Sequence, residues 1–168
     1  DSWHLPLSSL DRFSPSLQQA VLAYEDRWFY WHPGVNPISI AQALLANFRA
    51  KRIVRGGSTI TMQLARLIEP KSRTIPNKLV EVFRAIQIEL TLSKRQILTA
   101  YFNLAPYGGN IVGASAASQA YFGKSADRLS LGESALLACL PNSPTRLRPD
   151  LYPQRTQTAR NKVLRRML

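Results

Sequence analysis

Carboxylates are scarce in this chain. Ten Asp and Glu stand against 22 Lys and Arg in 168 residues, a net charge of +12. That balance implies an anionic partner: nucleic acid, an anionic membrane surface or a phosphate-rich substrate. The basic residues are scattered, with small clusters at Lys51-Arg52-Ile53-Val54-Arg55 and Arg165-Arg166, unlike a dense nucleic-acid-binding tail. Cysteine occurs once, at Cys139 inside an apolar run, which excludes an intrachain disulfide and suits a buried thiol. The two histidines, His4 and His32, fall in no recognised ligand spacing, so no metal centre is supported. No apolar run is long enough to span a bilayer. A repeat, a low-complexity segment and a long linker are also missing. No signal peptide stands at Asp1 and the chain does not start with Met, which suggests an excised domain whose anchor lies upstream.

Helical periodicity is what the chain does have. Leu17–Trp28 carries apolar residues at three-four spacing after a Ser14-Pro15 start. Further helices are expected over Ser39–Ala50, Thr59–Leu67, Asn77–Leu92, Ser93–Ala100, Ile111–Phe122, Ser130–Cys139 and Pro153–Leu168. Alternation long enough for a sheet is missing, apart from a short hairpin near Lys51–Thr59. The length fits one domain. The expectation is a single all-α domain over residues 1–168.

The densest stretch is Glu25-Asp26-Arg27-Trp28-Phe29-Tyr30-Trp31-His32-Pro33-Gly34. It places two scarce carboxylates among aromatics, where a carboxyl group can serve as general acid or base. The plainer alternative is a helix end with an aromatic core cluster. Sorting the other carboxylates by position sets most aside. Glu133 suits the first turn of its helix, and Glu89 suits a structural pairing with Arg84 or Arg95. Glu25, Asp26 and Glu81 remain as chemical candidates. Glu81 also fits a surface pair with Lys78 at i,i+3. Gly56-Gly57-Ser58-Thr59-Ile60-Thr61 brings hydroxyls to a helix start, a place that favours anions, with Arg55 and Arg66 flanking. It lacks the Gly-Lys-Ser/Thr ending of a P-loop, and a Ser/His/Asp triad has no nucleophile elbow to support it.

Taken in order, these segments resemble the peptidoglycan glycosyltransferase domain (glycosyltransferase family 51) of class A penicillin-binding proteins and monofunctional transglycosylases. Glu-Asp-x-x-Phe-x-x-His-x-Gly is matched at Glu25, Asp26, Phe29, His32 and Gly34. Gly-Gly-Ser-Thr-Ile-Thr-x-Gln is matched from Gly56 to Gln63, and Lys-x-x-Glu at Lys78 and Glu81. Ile-Leu-x-x-Tyr-x-Asn follows at Ile97, Leu98, Tyr101 and Asn103, then Ala120–Lys124 and Leu140–Pro144. Two departures stand out. Asn77 stands where the family usually has Arg, so that one phosphate-binding charge is either missing or supplied by Arg73 or Arg84, and Thr99 replaces a common Glu. The class's transmembrane anchor and transpeptidase domain are absent from the chain.

The resemblance implies a lysozyme-like helical fold with a small membrane-facing subdomain, about residues 35–55. It implies polymerisation of lipid II into β-1,4-linked glycan by an inverting mechanism, with release of undecaprenyl pyrophosphate. Glu25 would be the base, Asp26 would orient it, and Glu81 would assist pyrophosphate departure, directly or through a divalent cation (Mg or Mn). Ser58, Thr59, Gln63, Arg66 and Lys78 would hold phosphate oxygens, with Phe29 and His32 also at the substrate. Glu25 and Glu81 would line one cleft, farther apart than the roughly 5–5.5 Å of a retaining pair. The expected partners are lipid II, the growing glycan, the membrane surface and other cell-wall synthesis proteins, but not nucleic acid. The expected location is the outer, periplasmic face of the bacterial inner membrane. A glycan-cleaving enzyme of the same fold and a non-catalytic basic module are the alternatives.

Overall fold

The computed structural model describes residues 2–52, 56–72 and 74–168. Arg55 and Arg73, with Ile53 and Val54, lie outside the described residues. The chain forms two compact units, Asp1–Arg27 with Leu98–Leu168, and Trp28–Ile97. The fold class is all-α.

In the first unit, α1 (Pro15–Glu25), α7 (Leu131–Cys139) and α8 (Pro153–Met167) pack on one another. Leu17, Ala20 and Val21 of α1, Leu137 and Ala138 of α7 and Val163 of α8 are buried. Ser14 caps α1 by accepting from the Leu17 amide at 3.1 Å, and Pro15 follows where its missing N–H costs nothing. Ser130 and Glu133 form a reciprocal capping box at the start of α7. Helix α1 stops at Glu25, short of the expected Trp28, and a 3-10 turn over Phe29–Trp31 follows in the second unit.

A small sheet of β1 (Trp3–His4), β2 (Pro106–Gly108) and β3 (Ile111–Val112) belongs to the first unit, in the order β1-β3-β2. It corrects the expectation of a helix beginning at Ile111. Gly113 has φ +89°, a conformation that closes the strand and lets α6 (Ala114–Phe122) start after it. The strands are too short to leave an alternating signature. The hairpin expected near Lys51–Thr59 is not seen among the described residues of that segment.

The second unit holds α2 (Pro37–Ala50), α3 (Ile60–Ile68) and α4 (Ile75–Thr91), and α5 (Lys94–Leu104) begins in it. Asn36, Thr59 and Thr74 each cap a helix by accepting from an amide three residues on. Helices α3 and α4 pack together. Among the described residues, no helix is long and apolar enough to cross a membrane.

Candidate active site

In the first unit, Glu25 is the last residue of α1, at the end where the backbone carbonyls point and an anion is disfavoured. The Asn142 amide donates to its Oε1 at 2.5 Å. Three neighbours feel its charge and stay protonated. Burial first, and Glu25 second, raise the phenols of Tyr24 and Tyr107. Burial pushes the Cys139 thiol up to about 12, with Glu25 adding to the rise. The carboxylate therefore has the neutral Tyr24, Tyr107 and Cys139 nearby and the Asn142 amide in contact. Asp26, next along, is buried and ends α1 through its own N–H to Leu22 O at 3.0 Å.

In the second unit, the start of α4 carries an ionic cluster. Lys78 Nζ donates to Ser58 Oγ at 2.7 Å and to Glu81 Oε1 at 2.9 Å. Arg66 of α3 reaches the same Glu81 oxygen at 3.5 Å. The Glu81 side chain is only 10% exposed, so the pair is not the surface decoration that i,i+3 spacing alone allows. The Glu81 carboxylate holds two cations side by side, and one of them, Lys78, also binds the Ser58 hydroxyl. That arrangement presents clustered positive charge and donors to an anion. It suits a metal ion poorly, because both cations already share Glu81 Oε1. The described residues contain no group of three or more His, Cys, Asp or Glu that could hold a metal.

Thr59 turns its hydroxyl inward. It donates to Gly34 O at 2.5 Å, accepts from the Met62 amide, and is buried. Gln63 lies on α3, half-buried, one turn after Thr59. Phe29, expected at the substrate, is fully buried, with Lys94 Nζ 4.5 Å from its ring centre. His32 is buried beside it and helps line a groove with Trp31 and Leu90. Asn77 donates to the Ser72 carbonyl and hydroxyl, both at 2.9 Å. Of the two arginines expected to replace its missing charge, Arg84 pairs with Glu69 at 3.3 Å.

Glu89 is structural, but with other partners than Arg84 or Arg95. It accepts from Thr61 Oγ1 at 2.6 Å and from Lys94 Nζ at 2.7 Å, and Lys94 also donates to His32 O. Gly34, with φ +86°, lies so close to α4 that a Cβ would stand 2.8 Å from Ala85 O. These contacts tie the His32–Gly34 loop to α4. Sequence reasoning missed Asn142 as a partner of Glu25. Its only signal was the Leu140–Pro144 stretch, which shows no chemistry of its own.

Residues 3–168 match the family model described as Transglycosylase. The chain belongs to the transglycosylase family. It is similar to penicillin-binding protein 1C of Escherichia coli (strain K12), 51% identical over 165 residues, which are 98% of this chain and 21% of that protein. It also resembles penicillin-binding protein 1A of Aquifex aeolicus (strain VF5), 45% identical over 161 residues, 95% of this chain and 22% of the other. Penicillin-binding protein 1A of Escherichia coli (strain K12) is 42% identical over 162 residues, 95% of this chain and 19% of the other. The chain thus spans about a fifth of the length of these curated relatives. In this transglycosylase domain the motif residues fall into two sets. Glu25 and Asp26 belong to the first unit, and Ser58, Arg66, Lys78 and Glu81 to the second.

Proposed function

We propose that this transglycosylase domain is a peptidoglycan glycosyltransferase that polymerises lipid II by an inverting displacement. The observation that carries the reading is the cluster of Lys78, Arg66 and Ser58 around Glu81. A pyrophosphate leaving group develops negative charge as its bond breaks, and fixed cations and hydroxyls stabilise that charge. A glycosidase expelling a neutral sugar hydroxyl has no use for such a cluster.

In this reading the 4-hydroxyl of the acceptor sugar attacks the anomeric carbon of the growing chain. Glu25 takes the hydroxyl proton as the new C–O bond forms. The old C–O bond breaks, and its electron pair goes to the oxygen of undecaprenyl pyrophosphate. Donor α-linkage and product β-linkage make the step inverting, so no covalent intermediate is needed. Asn142 and Asp26 hold the Glu25 end of α1. Lys78, Arg66, Ser58 and Gln63 receive phosphate oxygens, Glu81 keeps the two cations in place, and Thr59 fixes the loop behind them.

The membrane part of the reading rests on α2. Ile38, Leu45 and Phe48 are exposed on one face, with Arg49 beside them and Lys51 and Arg52 just beyond the helix. Apolar side chains next to cations suit an anionic leaflet. The bacterial inner membrane, on its outer face, is the proposed location, with lipid II, the growing glycan and other wall-synthesis proteins as partners.

The test is turnover of radiolabelled lipid II. Polymer supports the proposal, cleavage of preformed glycan without polymer points to a lytic enzyme, and binding without turnover to a non-catalytic module. Glu25→Gln keeps size and polarity but removes the base, and should lower the rate by about 10²–10⁴-fold with lipid II binding retained. A variant keeping more than roughly a tenth of the rate removes Glu25 from the base role.

A further inference from the structure

Glu25 ends α1, and the last carbonyls of a helix have no partner inside it. One of them is Tyr24 O, which shares a peptide unit with the Glu25 N–H. Arg166 meets that need from far along the chain. Its Nη1–H donates to Tyr24 O at 2.7 Å, and its guanidinium lies 4.9 Å from the centre of the Tyr24 ring. Both residues belong to the first unit, where α8 packs on α1 and α7. Arg166 stands one turn after buried Val163, at the end of the packed face of α8. A cation in the last turn of a helix ordinarily serves that helix's own carbonyls. Arg165 and Arg166 both occupy that turn of α8, yet Arg166 crosses to α1 and holds the residue before Glu25 by two contacts.

Two effects on Glu25 follow. The Tyr24–Glu25 peptide cannot turn without breaking the Arg166 hydrogen bond, so the direction in which the Glu25 side chain leaves the helix is fixed from the backbone side. Asn142 fixes the other end, at Oε1. The second effect is electrostatic. The C-terminal end of α1 opposes an anion, and a guanidinium at that end offsets its field. The groups around Glu25 are Tyr24 on its own helix, Asp26 after it, Cys139 at the end of α7, Tyr107 in β2 and Asn142. Four of these are uncharged at neutral pH and Asp26 is a second carboxylate, whereas Arg166 brings a positive charge. We propose that Arg166 is a positioning residue for Glu25, anchoring the peptide that carries the base and favouring its ionised form. The proposal rests on the reading of Glu25 as the base and adds the element that holds it. It also gives the end of α8 a task beyond packing.

The experiment separates anchoring from charge. Turnover of radiolabelled lipid II is followed against pH for the wild type, Arg166→Ala, Arg166→Gln, Arg166→Lys and Glu25→Gln, with the melting temperature of each. Arg165→Ala, an exposed arginine on the same turn, is the control. Ala removes both contacts, Gln keeps an N–H donor without charge, and Lys keeps the charge. Arg166→Ala should lower kcat about ten-fold with KM within about two-fold. The acid limb of its kcat profile should move to higher pH, because losing a nearby cation raises the pKa of a carboxylate. Lys should return the limb to its wild-type position, while Gln should recover part of kcat and leave the limb displaced. Arg165→Ala should match the wild type in both. A folded Arg166→Ala with wild-type kcat and limb overturns the proposal. A variant that only melts lower, with rate per folded molecule and limb unchanged, overturns it too, in favour of a purely structural contact. If Arg166→Ala does not fold, the Gln and Lys variants decide, and coincident limbs overturn the proposal. Failure of the underlying reading looks different: Glu25→Gln then keeps more than roughly a tenth of the rate, and the proposal falls with it.

Discussion

At the residue scale, one carboxylate can be a base, a clamp or a strut, and its contacts decide which. Glu89 is a strut: its side chain is 7% exposed and joins Thr61 to Lys94. Glu81 has similar burial, but its partners line up beside a hydroxyl and leave cationic groups partly exposed. Position in sequence set Glu89 aside as structural, but the partners it suggested, Arg84 and Arg95, are not Thr61 and Lys94. The helix start at Thr59 was legible, but the direction of its hydroxyl was not. A threonine at a helix start can serve the amide of N3 or a ligand, and Gly34 O decides it by taking the proton. The Glu81 reading gives a direct prediction. Glu81→Gln removes the charge that holds Lys78 and Arg66 together, and turnover should fall severely while the fold remains. Lys78→Ala should chiefly raise the apparent donor KM. If Glu81 were only half of an ion pair, its loss would change stability alone. In that case the steady-state rate on lipid II would be unchanged, which is the outcome that would sink the assignment.

At the scale of elements, most helices were legible because their apolar spacing and their caps agree. Ser14, Asn36, Thr59, Thr74 and Ser130 each stand before a periodic run and each accepts from an amide near the start of the helix. The sheet was not legible, since two- and three-residue strands give no period, and β1 finds its partner β3 over a hundred residues away. Helix α2 shows what spacing leaves open. Its apolar face could have been core, but Phe48 is 83% exposed and Leu45 is half exposed, while Ala43 is buried, packed by the Gly57 backbone. Leu45→Asp with Phe48→Asp should therefore keep the melting temperature. It should weaken binding to anionic liposomes and slow turnover of long-chain lipid II more than that of short soluble analogues. Equal liposome co-sedimentation of variant and wild type would leave α2 without a membrane role. The Gly34 contact makes a stability prediction of opposite kind. Gly34→Ala forces a Cβ against the α4 backbone at positive φ, and should lower the melting temperature by several degrees, a cost of order 1–3 kcal/mol.

At the scale of the whole molecule, charge balance dominates. The excess of cations was legible from composition alone, and so was the need for an anionic partner. How the few carboxylates are used was not, because a count does not show pairing. Glu133 is held below the usual carboxylate range, first by its hydrogen bond from Lys124 and then by the Ser130 amide. Glu69, Asp127 and Asp150 are lowered as well, by Lys71, Ser125 and Arg148 respectively. A lowered carboxylate adds stability that is fully present above its unfolded pKa, 4.5 for Glu and 3.8 for Asp. That contribution is lost as pH falls through the folded value. Protonating the ten carboxylates also leaves 22 Lys and Arg uncompensated, and self-repulsion then opposes the compact state. Melting temperature should accordingly be flat from neutral pH down to about 5 and drop below it. Glu133→Gln isolates one contributor, because Gln preserves the capping box with Ser130 but carries no charge for Lys124. The variant should melt slightly below wild type at pH 7, and the two curves should converge as pH falls through the lowered folded-state value of Glu133, where the wild-type side chain becomes neutral as well. Melting curves that stay parallel across that range would show that the Lys124 pairing contributes nothing, and that α7 is held at its start by the cap alone.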